Sequence, residues 1–146
     1  LQGSNIFIPN EELRKKYLKA KAKTAYQEIN MMAFAATKAA YTFGRPWLTE
    51  LKQYLAGNVG YVREFLKKEM PSVRLIEPEG TYLIWMDFSE LGLSDEELDD
   101  RIVNKAGLWL DKGTMFGSEG EFFQRMNIAC PRQIVVEAMK RLKKIL

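Results

Sequence analysis

The sequence contains no histidine, and Cys130 is its only cysteine. A disulfide within one chain is therefore impossible, and a zinc site lacks its usual ligands. Nucleophilic catalysis that pairs a serine or cysteine with an imidazole base is excluded for this chain. Such cysteine usage fits a reducing, cytoplasmic setting. Charge of one sign is also scarce, since 22 basic residues face 19 acidic ones for a net charge of +3. A nucleic-acid surface needs a concentrated basic face, and here the lysines are spread among glutamates. No run is long and apolar enough to span a bilayer, and the opening does not read as a signal peptide. Neither nucleic acid nor membrane is an expected partner.

What is present is ordinary for a globular chain. Of 146 residues, 47% are hydrophobic and 28% charged, enough for one compact domain with a real core. The first residue is Leu1, and Leu1-Gln2-Gly3-Ser4 runs directly into the apolar Ile6-Phe7-Ile8. This opening reads as a cut through a longer polypeptide, with a purification remnant at Gln2 to Ser4 as the alternative.

Periodicity divides the chain. Asn5 to Ile8 reads as a short strand. Asn10 is a plausible N-cap, with Glu11 and Glu12 in the first turn where a helix favours negative charge. A second, alanine-rich helical stretch spans Met31 to Tyr41 and ends at Gly44. From Pro46 to about Met70, Leu48, Leu51, Leu55, Val59, Val62 and Leu66 recur at helical steps and make one face apolar. Gly57 and Gly60 predict a bend in this long helix, and Pro71 stops it.

The period then changes. Val73 to Ile76 and Thr81 to Phe88 are β-rich segments around a turn. Ser94 and Glu97 have capping-box spacing and open a helix to about Asn104. Leu108 to Leu110 reads as a third strand, Gly113 to Gly120 as a glycine-punctuated loop and Phe122 to Ala129 as a fourth strand, before a last helix at Pro131. The predicted class is α+β: a small, mainly antiparallel sheet with helices on one face, preceded by a long helix. Residues 1–45 stand apart as a bridging segment, and residues 46–146 form the small domain.

Chemistry concentrates in the fourth strand. Alternate side chains of a strand share a face, so Arg125 and Asn127 point together, opposite Met126 and Ile128. A guanidinium fork on a rigid strand binds a carboxylate through two parallel bonds, which lysine cannot do. From the pattern alone, a solvated strand face or a structural ion pair is the simpler account of Arg125. Tyr82 and Trp85 could shape a substrate entrance, although aromatics alternating in a strand are usually core. Cys130 reads as a packed small residue, because no base is available to activate it. The nearly continuous apolar run from Met31 to Tyr41 is either a surface that a partner covers or a central core helix.

Arg125-Met126-Asn127-Ile128-Ala129-Cys130-Pro131-Arg132 resembles the C-terminal carboxylate-binding motif of fold-type-I enzymes that use pyridoxal 5′-phosphate (PLP). The branch it resembles most contains the cystathionine β-lyases and other C–S lyases. Asn5 to Asn10, Trp47-Leu48 with Leu51, Tyr54-Leu55 with Asn58, Pro78 to Phe88, and Gly113-x-x-Phe116-Gly117 resemble the same branch in order. The resemblance covers nearly the whole chain. It implies that Arg125 holds the α-carboxylate of an amino-acid substrate, while Asn127 orients the strand or the arginine. Leu1-Gln2-Gly3-Ser4 is similar to the end of the run that follows the cofactor-binding lysine in relatives. Gln2 and Gly3 would then lie near the cofactor, the lysine would fall upstream of Leu1, and no lysine of this chain would inherit its role.

The resemblance implies that residues 1–45 bridge from a large PLP-binding domain and that the full-length protein is a homodimeric, cytoplasmic enzyme of amino-acid metabolism. A C–S lyase would expel a thiolate from the β-carbon, and an aminotransferase would return the proton to the cofactor instead. The lyase reading leads because the quoted segments are most similar to that branch. By itself the fragment is expected to be inactive and to bind no PLP specifically. The non-enzymatic alternative is a stand-alone α+β binding module.

Overall fold

The computed structural model describes residues 3–25 and 28–146, and the chain forms two compact units, Leu1–Thr49 and Glu50–Leu146. In the first unit, the Asn10 side chain accepts a 3.0 Å hydrogen bond from the Leu13 amide and starts helix α1 (Glu11–Lys23). Asn30 repeats the device for α2 (Met31–Phe43), accepting from the Ala33 amide at 2.8 Å, and Gly44 is the C-cap. Each cap satisfies one of the amides that a helix start leaves unpaired, worth about 1 kcal/mol. Asn5 to Ile8 do not form the expected strand. A strand needs a ladder partner, and here the Arg14 guanidinium instead donates to the carbonyls of Ile8 and Pro9.

The long helix α3 (Arg45–Glu69) is one unbroken element of 25 residues despite Gly57 and Gly60. Gly57 lies where the helix is approached closely by another side chain. A Cβ there would lie 2.6 Å from the Arg132 guanidinium, so a side chain would push that guanidinium out of its present place.

After Pro71 the chain builds a four-stranded antiparallel sheet in the order β1-β2-β4-β3. Its strands are β1 (Arg74–Ile76), β2 (Leu83–Asp87), β3 (Asp111–Lys112) and β4 (Phe123–Asn127). Between β2 and β3, the capping box forms as predicted, with Ser94 Oγ accepting from the Glu97 amide and Glu97 accepting from the Ser94 amide. It opens α4 (Asp95–Asp100), which passes into one π-helical turn, Arg101–Lys105. Helix α5 (Arg132–Ile145) ends the chain.

The third strand lies one step later than expected. Leu108 and Leu110 pack against the core from the incoming loop, and it is Asp111 and Lys112 that pair with β4. The fourth strand is shorter than expected, for a reason at each end. Phe122 adopts φ 65°, a left-handed conformation outside the strand region. It is held there by its amide donating to Asp95 and its carbonyl accepting from Phe88. Beyond the strand, Asn127 Oδ1 accepts from the Ala129 amide at 2.8 Å and turns the chain towards α5.

Alternation sorts the sheet into two faces. Ile84, Met86 and Met126 are buried in one core with Val62 and Leu66 of α3, Leu98 of α4 and Val135, Met139 and Leu142 of α5. Fully burying each such side chain contributes roughly 1.5–3 kcal/mol. Leu83, Trp85, Phe123 and Arg125 point the other way and are half-buried. The result is the α+β arrangement read from the sequence.

Candidate functional site

Arg125 lies in the middle of β4, directly opposite Trp85 of β2 on one side and Asp111 of β3 on the other. Its backbone is therefore fixed by ladders on both edges. The guanidinium donates from Nε and Nη2 to a single oxygen, Asp111 Oδ2, at 3.0 and 2.7 Å. Its carbon lies 4.4 Å from the centroid of the Phe116 ring, which places the cation against an aromatic face. Trp85 supports this aromatic wall, meeting Phe116 edge-on at 5.5 Å and stacking on Phe123 at 5.6 Å. The structural ion pair weighed for Arg125 thus exists. It engages only one edge of the fork, and among the described residues no hydrogen bond reaches Nη1. With about 30% of its side chain exposed, Arg125 is accessible to a carboxylate.

Asn127 shares the face of Arg125 but not its contacts. Its amide oxygen is committed to the Ala129 amide, so its observed work is to shape the end of the strand. Gly3 belongs to the first unit and packs beside Ile29 and Ala33. Gln2 lies outside the described residues. Trp85 is part of the aromatic wall and Tyr82 is exposed at the start of β2. The Cys130 thiol is half-buried, and burial pushes its pKa up, away from the thiolate.

Asp111 was not legible in the sequence, whereas Phe116 and Asn58 stood in the segments that resemble the lyase branch without any sign of what they touch. Asp111 was hidden because a strand of two residues has no period to detect. Phe116 belongs to the Gly113-x-x-Phe116-Gly117 run, and the turn that carries it closes because Gly113 and Gly120 pack backbone to backbone, where a Cβ on either would overlap the other's carbonyl oxygen. Asn58, wholly buried on α3, donates to the carbonyls of Ile128 at 2.8 Å and Cys130 at 3.2 Å, and accepts from Arg132 Nε. Tyr54 Oη accepts from the Arg132 amide at 2.7 Å. The segment after Arg125 is thereby tied to the long helix. Arg132 has a structural task here, since its guanidinium also lies 5.8 Å from the Tyr61 ring centroid.

Lys112, next to Asp111, is held as an ammonium. Asp99 pairs with it at 2.7 Å, and that hydrogen bond raises its pKa above the ordinary lysine value. It is therefore poorly suited to act as a base or amine nucleophile. Among the described residues no cluster of acidic, cysteine or histidine side chains could hold a metal ion.

No protein-family model matches the chain. The chain is 38% identical over 143 residues to cystathionine β-lyase PatB of Bacillus subtilis (strain 168), covering 98% of this chain and 37% of that protein. Protein MalY of Escherichia coli (strain K12) is 32% identical over 133 residues, covering 90% of this chain and 34% of that protein. The solved structure of a PLP-bound C–S lyase from Staphylococcus hominis matches at 32% identity with a TM-score of 0.82, covering 95% of this chain and 36% of that one. The fold is that of the small domain of PLP-dependent enzymes of the aminotransferase class. Within that class, the chain belongs with the cystathionine β-lyase and C–S lyase branch, and it spans about a third of the length of the relatives it matches.

Two features near Arg125 bear on anion binding. The glycine loop from Gly113 to Gly120 closes on its own backbone rather than around an anion, and the neighbouring lysine is committed to Asp99.

Proposed function

We propose that this chain is the small-domain part of a PLP-dependent C–S lyase acting on amino acids, and that Arg125 receives the substrate's α-carboxylate. The observation that carries this reading is the half-engaged fork of Arg125. A guanidinium whose only purpose is a structural pair has no need of a rigid strand, an aromatic backing and an unbonded end on the accessible face of a sheet. The similarity to cystathionine β-lyases over nearly the whole chain supports the reaction class.

In this proposal residues 1–45 lead from a large domain that supplies the cofactor's binding groups, and residues 46–146 form the small domain. Gln2 and Gly3 lie towards that cofactor. PLP, when bound by the full-length protein, supplies the electron sink on which the chemistry depends. The part played by this chain is to fix one end of the substrate. Two parallel charged hydrogen bonds from Arg125 hold the carboxylate in the plane of the guanidinium and leave the α- and β-carbons to the rest of the enzyme. A homodimeric protein of the cytoplasm, engaged in amino-acid metabolism and binding neither nucleic acid nor membrane, completes the reading. It agrees with a single unpaired cysteine, and no helix among the described residues is long and apolar enough to cross a membrane.

The test is to supply the full-length, PLP-loaded protein with an S-substituted cysteine and follow the products. A lyase consumes one water and releases thiol, pyruvate and ammonia in equal amounts. Amino transfer to a 2-oxo acid without thiol release would assign the chain to an aminotransferase instead. Neither reaction would favour a binding module.

A further inference from the structure

Asp111 does more than neutralise Arg125. Both hydrogen bonds from the guanidinium, from Nε and from Nη2, converge on one oxygen of the carboxylate. Asp111 itself is held by the β3–β4 ladder directly opposite Arg125, so the acceptor is placed by the backbone and not by a flexible stem. The approach is along the Nε–Nη2 edge, while Phe116 covers one face of the cation. What remains open is the Nη1 end together with the outer hydrogen of Nη2, which is the edge that offers a carboxylate two parallel bonds. An unrestrained arginine samples many rotamers and presents that edge only part of the time.

We infer that Asp111 is a positioning residue for substrate binding: it grips one edge of the Arg125 guanidinium so that the other edge faces the substrate's carboxylate. This rests on Arg125 being the carboxylate receptor. Because the two bonds end on a single oxygen, the hold depends on an acceptor atom at that place and not on a negative charge. An asparagine oxygen can accept both, whereas alanine supplies nothing. A carboxylate that merely competed with the substrate would behave in the opposite way, since alanine would free the arginine and an uncharged asparagine would hold it less tightly.

The experiment compares Asp111→Ala, Asp111→Asn and Arg125→Ala in the full-length, PLP-loaded protein. Asp111→Ala raises KM for the amino acid about tenfold with kcat and the cofactor absorbance little changed, the size expected for a lost orienting partner. Asp111→Asn restores KM to within about threefold of the parent. The second readout is the Nε–H nuclear magnetic resonance signal of Arg125, assigned by its loss in Arg125→Lys. It is protected from solvent exchange in the parent and in Asp111→Asn, and unprotected in Asp111→Ala. An unchanged KM in Asp111→Ala beside a raised one in Arg125→Ala overturns the role of Asp111 alone. A lower KM in both Asp111 variants makes Asp111 a competitor and also overturns it. An unchanged KM in Arg125→Ala overturns the carboxylate reading and this inference together.

Discussion

Asn58 and Ile128 are 70 residues apart in sequence, yet the side-chain amide of one donates to the carbonyl of the other at 2.8 Å in the fully buried interior. The same amide reaches the Cys130 carbonyl, and its oxygen accepts from Arg132. Replacing Asn58 by leucine removes the donor from two carbonyls and the acceptor from a guanidinium at once. Each buried polar group left unpaired costs about 1–3 kcal/mol, so a loss of roughly 3 kcal/mol is expected after partial relaxation. Urea unfolding of the variant beside the parent checks this. A change below about 0.5 kcal/mol, as for an ordinary surface site, would mean that the tie is dispensable.

Gln124 gives the opposite expectation. It is 1% exposed on the core face of β4, and its Nε2 has no hydrogen-bond partner among the described residues. Methionine has a similar shape and no donor to strand. Gln124→Met should therefore stabilise the protein by about 1 kcal/mol, read as a higher urea midpoint at unchanged slope. Destabilisation of that size would show that the amide has a partner in the working protein.

Asp87 makes stability depend on acid. Burial pushes its carboxyl up, but hydrogen bonds from the Ser89 amide and hydroxyl and from the Arg74 guanidinium outweigh this and hold it below the ordinary value of 3.8. A carboxyl with a depressed folded pKa contributes stability that is complete above its unfolded value and is lost as pH falls through the folded one. Stability should thus be level in this respect at neutral pH and decline below the ordinary aspartate range. The surface carboxylates Glu77, Asp100 and Glu137 and the half-buried Glu69 are shifted in the same direction, by bonds from Arg63, Asn104, Arg141 and Lys143 respectively. Their share is screened by salt. At high salt, Asp87→Asn should flatten the acid limb, and an unaltered limb would assign it to other groups.

Helix α2 turns its large apolar side chains outward. Met31, Met32, Phe34, Tyr41 and Phe43 are all exposed, and Ala33 is its only buried residue. Within its own unit this placement differs from a central core helix, which would hide them. Phe34→Ser should change stability by less than about 0.5 kcal/mol and leave the helical signal intact. It should also weaken self-association measured by sedimentation across a concentration range. Unfolding on this substitution would contradict the exposed placement.

Local chemistry made much of the fold readable. The Ser94–Glu97 capping box, the Asn10 cap and the apolar stripe of α3 act within a few residues, so their signals survive in one sequence. Arg125 was readable because strand alternation puts it opposite Met126 and because the run to Arg132 resembles a known motif. Asp111 was not, since its role comes from a ladder with a residue 14 positions away. Asn5 to Ile8 erred in the other direction. Their composition favours a strand, but strand formation depends on a partner that composition does not reveal.

The most direct measurement is a substrate titration of the full-length, PLP-loaded protein carrying Arg125→Ala or Arg125→Lys. Charged hydrogen bonds to a carboxylate contribute roughly 1.5–3 kcal/mol each, so kcat/KM should fall tenfold or more in the alanine variant while the cofactor stays bound. Lysine should recover little, because it keeps the charge and loses the two-pronged geometry. Near-parental kinetics in Arg125→Ala would contradict the assignment and leave Arg125 as the ion-pair partner of Asp111 and nothing more.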